Sequence, residues 1–286
     1  MRPVSLRHML PRAVSVAVFL ILAGASYQGA ATALERRQFP HPGHMVDIGD
    51  RQLHIHCSGR GAPTVVLEAP AAGMSAAWGW VQPAVARTTR VCSYDRAGLG
   101  WSEAGDRAYD PAAVPEQLHT LLERSGERGP YVLVGHGLGA IFAKLYAARF
   151  GADVRTLILV DLPATTANGS ATTTRLVRAS PWLARTGILR ATGLLSDNAA
   201  GLPDSSAGPM AAFLNRPDHL TRAAGELSRW DETVHLADGA ALRSDLAVVP
   251  MAVRGTDRVA FLTDSSLAAS VTAAIADAVE RIDPSP

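Results

Sequence analysis

Short apolar blocks recur along most of the chain, and their period changes from block to block. Residues 45–48 and 52–57 flank Gly49-Asp50, the pattern of a β-hairpin. Residues 64–68 and 91–94 are short apolar runs of the kind a fully buried strand carries. Residues 75–86 read as helical. So do 111–125, with Leu118, Leu121 and Leu122 on one face, Asp110 placed as N-cap and Pro111 as first residue. A strand at 131–135 runs directly into Gly135-His136-Gly137-Leu138-Gly139, and 138–150 is an apolar helix closed by Gly151. Another strand follows at 154–160. Residues 162–246 are rich in Ala, Ser, Thr and Arg and show helical fragments without a clear strand. Strand pattern resumes at 248–253, with one more short strand at 259–262 and a closing helix at 267–282. Strands alternating with helices imply an α/β fold with an open, mostly parallel sheet covered on both faces. The helical stretch between strands reads as an inserted cap.

The N-terminal segment is different. Arg2, Arg7 and Arg12 precede an apolar stretch from 13 to 25, and no acidic residue occurs before Glu35. A basic flank before an apolar run is the signature of export. A strongest run of about 13 residues suits a signal-peptide core, with Ala31-Thr32-Ala33 as a small-x-small cleavage site. Read from 13 to 34, the stretch reaches the roughly 20 residues of a spanning helix. Either way the remainder lies outside the cytoplasm: on the cell membrane as a single-pass protein, or secreted or periplasmic after cleavage. The expected organisation is signal or anchor over 1–33, core over 34–161, cap over 162–246, and the rest of the core over 247–286.

Composition narrows the picture. The chain has 286 residues, long enough for a large core, and at 48% hydrophobic with a net charge of +1 it is neither disordered nor biased toward nucleic acid. Two cysteines exclude a disulfide framework or a Cys-rich zinc site but allow one bridge. His54 and His56 share a strand face, and with His41 or His44 they offer imidazoles, but no carboxylate or cysteine is spaced to complete a metal site. No metal and no cofactor is expected.

Several motifs in order carry a family resemblance. Residues 131–150 (YVLVGHGLGAIFAKLYAARF) resemble the nucleophile elbow and following helix of α/β-hydrolases, and 90–102 (RVCSYDRAGLGWS) resemble that family's Tyr-Asp-Arg-x-Gly-x-Gly-x-Ser segment. Residues 63–78 resemble the strand and oxyanion loop before it, and the N-terminal segment is similar to that of a membrane-anchored bacterial group. The resemblance implies the α/β-hydrolase fold with a helical cap, and a Ser, Asp or Glu, His triad in that chain order. The elbow, however, has Gly137 at the nucleophile position, between Gly135-His136 and Leu138-Gly139. Glycine accepts the strained turn but forms no acyl-enzyme. The acid is Asp257 or Asp161. The histidine belongs at 261–266, where there is none, and the last histidine, His235, precedes the acid strand. The oxyanion donors would be the backbone N–H groups of Leu138 and Ala71, with Pro70 standing where the family has glycine. His136 reads as a packed structural ring, Ser75 as a helix cap and Asp95 as a loop anchor. The strands of Cys57 and Cys92 are neighbours in this fold, and an extracytoplasmic location permits a bridge; the other reading is two buried thiols.

The function these expectations favour is a hydrolase-like protein without conventional serine hydrolase activity. It would bind a small apolar or acyl-type ligand under the cap or act as an extracytoplasmic interaction module. The alternative is an active hydrolase of ester, amide or epoxide bonds using a displaced residue. The membrane, through the N-terminal segment, is the other expected partner.

Overall fold

The computed structural model describes residues 6–105, 108–163, 171–253 and 261–282, with side chains from residue 11 onward and, in the first cap helix, from 178. A long helix, α1 (Leu6–Gln38), leads into the hairpin β1 (His44–Asp47) and β2 (Gln52–Ser58), then β3 (Thr64–Glu68). A 3-10 turn (Ser75–Trp78) and α2 (Val81–Val85) precede β4 (Val91–Tyr94). The continuous helix expected at 75–86 is thus two short pieces. They meet at Gly79, against which Ser206 and Pro203 of the cap are packed too closely for a side chain. Then come α3 (Val114–Arg124), β5 (Tyr131–His136), α4 (Leu138–Arg149) and β6 (Val154–Val160). Between β6 and β7 the chain inserts α5 (Ala171–Arg185), α6 (Ile188–Thr192), α7 (Asp204–Phe213), α8 (Pro217–Ser228) and α9 (Trp230–Asp238), the helices of the segment expected as the cap and given that label below. The chain re-enters the sheet at β7 (Ala247–Met251) and closes with α10 (Ser265–Ile282). Of the short strand expected at 259–262, residues 259 and 260 lie outside the described residues, and Phe261 and Leu262 are not strand.

The seven strands form one sheet in the order β1-β2-β4-β3-β5-β6-β7. β1 and β2 are antiparallel to their neighbours, and every pair from β4–β3 to β6–β7 is parallel. Parallel strands are buried on both faces, which is why β3, β4 and β5 are mostly apolar and buried at every residue, Ser93 in β4 included. One face packs on α3 and α4 through Leu118, Leu121, Ala143 and Tyr146. The other packs on α2 and α10 through Val81, Val85, Val271 and Ile275. Asp110 accepts a hydrogen bond from the Ala112 N–H, opening the turn before α3.

Cys57 and Cys92 face each other in the β2–β4 register and are joined by a disulfide with Cα atoms 4.0 Å apart. The bridge closes a loop of sequence separation 35, and restricting the unfolded chain to that extent corresponds to roughly 3–4 kcal/mol in the chain-entropy picture.

Helix α1 divides into two halves. Residues 11–23 are exposed on all sides. From Gly24 onward one face (Gly24, Gln28, Ala31, Glu35) is covered by the cap, at the spacing of a single helix stripe. Gln28 donates to the Asn215 carbonyl at 2.9 Å, and its amide oxygen accepts from Arg190, which also pairs with Glu35. Within the described residues this is one helix, over Pro11–Gln38, long and apolar enough to cross a membrane.

Candidate functional site

The parallel strands β3 and β5 end side by side, Glu68 paired with Gly135, and the chain turns sharply after each. After β5 the turn is made by Gly137, at φ 54° and ψ −121°, between the last strand residue His136 and the first helix residue Leu138. This left-handed region is where glycine is at home and other residues are strained. Gly135 and Gly139 let the turn close. A Cβ on Gly139 would drive into the Glu68 and Ala69 carbonyl oxygens, and one on Gly135 into the Gly139 carbonyl. Gly137 is otherwise situated: among the described residues a Cβ there would meet only Pro70, 3.5 Å from its Cβ. The proline ring therefore stands over the point where a nucleophile's first carbon would project. Ala71 and Leu138, the expected donor positions, lie together, fully buried, beneath Trp230, Val234 and Ala237 of the cap.

Of the acid candidates, Asp257 lies outside the described residues. Asp161 sits just past β6 with φ 47°, and its Oδ1 accepts the Val253 N–H at 2.6 Å. Its Oδ2 is 3.5 Å from His136 Nε2, and the His136 ring packs edge-on to Trp78. His235 is 75% exposed on α9 and pairs with Asp238. Gly137, Leu138, Ala71, His136 and Asp161 are thus brought together, and His235 is not.

The structure adds a buried polar assembly below the loop after β3. Arg96 uses all five guanidinium N–H groups. Nε and Nη2 fork onto Glu226 of α8 at 2.7 and 3.0 Å, Nη1 reaches Glu68 at 2.6 Å, and the Ala69 and Pro70 carbonyls take the rest at 2.6 and 2.8 Å. The Tyr94 hydroxyl donates to the other Glu68 oxygen, and the Ala72 N–H donates to Glu226 at 3.0 Å. Ala72 is held at φ 56° by that bond and by the bond its carbonyl accepts from His219 Nε2. Burial lifts the Glu68 carboxyl above its usual range against the pull of Arg96. It works against the Arg96 charge too, but Glu226 and Glu68 outweigh it, so the guanidinium stays charged.

A second assembly surrounds Asp95. Its carboxylate accepts the N–H groups of Ser75 at 2.6 Å and Trp101 at 2.9 Å, and His54 Nδ1 lies 3.0 Å away. His54 Nε2 is 2.8 Å from the Pro42 carbonyl. A ring between a carboxylate and a carbonyl can donate from both nitrogens only when protonated, so this setting favours the imidazolium form of His54. Burial opposes that charge, but Asp95 and the Pro42 carbonyl hold the pKa above its ordinary 6.5. Asp95, also penalised by burial, is held below 3.8 by His54 and the two backbone donors. Ser75 is not a helix cap: Met74 is the cap residue, and the Ser75 Oγ lies 3.5 Å from the same His54 nitrogen that faces Asp95. A raised pKa favours folding below 6.5 and loses that contribution as pH rises through the folded value. The stability gap between wild type and His54→Gln should therefore be larger near pH 5.5 than near pH 8.5 in chemical denaturation. A gap that does not change with pH would show that His54 is neutral in the fold.

The Tyr-Asp-Arg segment thus serves as wiring. Tyr94 and Arg96 face Glu68, Asp95 collects the neighbouring loops, and Ser102 Oγ donates to the Asp95 carbonyl while accepting from the His54 N–H. Sequence reasoning missed Glu68 and Glu226. The hint for Glu226 was a carboxylate on the covered face of an amphipathic helix, fully buried in the structure.

With this geometry in hand, the comparisons with known proteins agree. A family model described as alpha/beta hydrolase fold matches residues 63–191. Among solved structures, the epoxide hydrolase CorEH superposes with a TM-score of 0.61 at 16% identity, over 84% of this chain and 98% of that one. An uncharacterized protein of Schizosaccharomyces pombe is 37% identical over 81 residues, 28% of this chain and 15% of that protein. An uncharacterized vacuolar membrane protein of Saccharomyces cerevisiae is 28% identical over 137 residues, 41% of this chain and 21% of that protein. The chain spans less than half the length of the curated relatives it matches. The chain thus has the α/β-hydrolase fold, and residues 63–191 match that family's model.

Proposed function

We propose that this is a membrane-anchored α/β-hydrolase-fold protein that does no serine-hydrolase chemistry and keeps the capped framework for binding or surface contacts outside the cytoplasm. The observation that carries this is Gly137, which holds a nucleophile-elbow backbone with no side chain to attack an acyl carbon. The base is missing as well: the last 51 residues contain no histidine, and His235 points to solvent. The best displaced constellation, Ser75 with His54 and Asp95, does not supply one. Serine and aspartate share one ring nitrogen and a carbonyl holds the other, so His54 has no acceptor for the serine proton. Trp230 and Val234 pack with Ala71 and Leu138 in one buried apolar cluster beside the elbow, and surroundings of that kind would take an apolar or acyl-type ligand rather than a charged one.

The anchor is favoured over a cleaved signal by the docking of α1. Cleavage after Ala33 would remove Gln28 from Arg190 and from the Asn215 carbonyl, baring both on the cap. The vacuolar membrane relative supports a membrane location.

The full chain in detergent should turn over p-nitrophenyl esters no faster than its denatured control and take no fluorophosphonate label. Gly137→Ser should leave both results unchanged, because a lone serine without a base retains only oxyanion and binding effects. Turnover well above the denatured control in the wild type would instead establish ester hydrolysis with a displaced residue and favour the reading as an active hydrolase of ester, amide or epoxide bonds.

A further inference from the structure

Two glycines meet where α1 joins the cap. Gly24 lies so close to the Thr186 carbonyl that a Cβ there would collide with it. Gly187, at φ 73°, faces the Gly24 carbonyl and the Tyr27 ring. This contact fixes the level at which the apolar helix leaves the body of the protein, since residues 11–23 beyond it are exposed.

The cap surface at that level is apolar and exposed. Trp182 lies one helical turn before Thr186, hence on the same side of the chain, and is 71% exposed. Ile188, directly after Gly187, is 50% exposed, as is Tyr27. The Arg185 guanidinium stacks over the Trp182 ring at 4.8 Å, an arrangement that lets a cation stay at the polar edge while the indole goes deeper.

Length then decides what covers this surface. A span of about 20 residues starting after Arg12 ends near Thr32. The cap takes hold of the helix at Gly24, roughly 12 Å earlier at about 1.5 Å per residue. The turn between α5 and α6 is therefore level with the outer leaflet rather than above it. Exposed polar side chains would be costly there, whereas Trp and Tyr are at home at the headgroup boundary. The ion pair along the contact, Arg190 with Glu35, is largely shielded from both lipid and water.

We propose that the α5–α6 turn of the cap is a membrane-docking surface, with Trp182, Ile188 and Tyr27 seated in the phospholipid bilayer that α1 enters. The proposal rests on the anchor reading above. The cap is then held at the bilayer by two attachments, one spanning and one interfacial, and its underside faces lipid. Any ligand that partitions into membranes would reach the cap from that side.

The test uses the full chain in phosphatidylcholine vesicles with a minority of phosphatidylglycerol. Ile188→Cys and, separately, Trp182→Cys carry an environment-sensitive fluorophore; the native cysteines are bridged and stay unlabelled. Asp245→Cys is the reference, an exposed site just before β7 and so at the opposite end of the parallel strands. Nitroxide lipids labelled near the headgroup should quench positions 188 and 182 several-fold more than 245, with a blue-shifted emission. Equal quenching at all three sites, in protein that resists alkaline carbonate extraction, would overturn the docking surface and leave the anchor intact. Release by carbonate would overturn the anchor reading. Because quenching is read before the wash, it judges the docking surface in that case too.

Discussion

Replacing Arg96 with methionine should cost the fold about 3–5 kcal/mol, the largest loss expected from any single change in side-chain charge in this protein. Arg96, Glu68 and Glu226 expose 4%, 2% and 0% of their surface, so none of them is solvated. Methionine fills the same volume over Phe142 but leaves two carboxylates facing each other without a counter-charge, and strips the Ala69 and Pro70 carbonyls of their donor. Buried carboxylates in that position take up protons. Glu68, already lifted by burial, loses the Arg96 charge that pulls it down, so in the variant stability is regained as pH falls and Glu68 takes up its proton, and the deficit should be smaller at about pH 5 than at about pH 7. Denaturant midpoints at the two pH values measure both effects. A loss under ~1 kcal/mol, or one independent of pH, would mean the three groups are not coupled as the geometry indicates.

The second large effect is at the elbow, and it separates three glycines that look alike in sequence. Gly139→Val should destabilise by more than ~4 kcal/mol or prevent folding, because its new side chain meets the carbonyls of Glu68 and Ala69, which are backbone and cannot swing away. Gly137→Ala should cost only the conformational strain of φ 54° for a residue with a Cβ, about 1–3 kcal/mol, since among the described residues nothing but Pro70 is near and it lies at ordinary contact distance. Thermal unfolding of the two variants in the same detergent compares them directly. If Gly137→Ala is the worse of the pair, the space beside Pro70 is occupied and the elbow is not held open.

Much of this was legible in the sequence, for identifiable reasons. β3, β4 and β6 fall at the expected residues because buried parallel strands are short apolar runs with sharp polar ends. Asp110-Pro111 marks the start of the helical segment before α3 because capping is a local interaction. The turn around Gly137 was legible because only glycine-rich sequence closes so tightly a strand-to-helix junction. What stayed hidden was non-local. Glu226 is separated from Arg96 by 130 residues, and no local pattern says that a cap carboxylate will meet a core guanidinium. Ser75 looked like a cap because serine before a helix usually is one. Asp95 pulled it inward through its N–H instead, and the helix began one residue earlier. The docking of α1 on the cap was hidden for a related reason: an apolar helix advertises only that it avoids water, and the stripe Gly24, Gln28, Glu35 is too mixed in polarity to stand out.

The fork between Arg96 and Glu226 also has a kinetic meaning. Cap helices over a site are commonly pictured as doors that swing to admit a ligand. Here the hinge side of any such door is riveted to the sheet by a bidentate ion pair that water does not reach. Lifting α8 would expose both halves of it at once, so the cap and the core open together or not at all. Amides in α8 should then exchange with solvent as slowly as those of the central strands, and traffic to the interior would have to pass along the edges of the cap rather than beneath a raised lid.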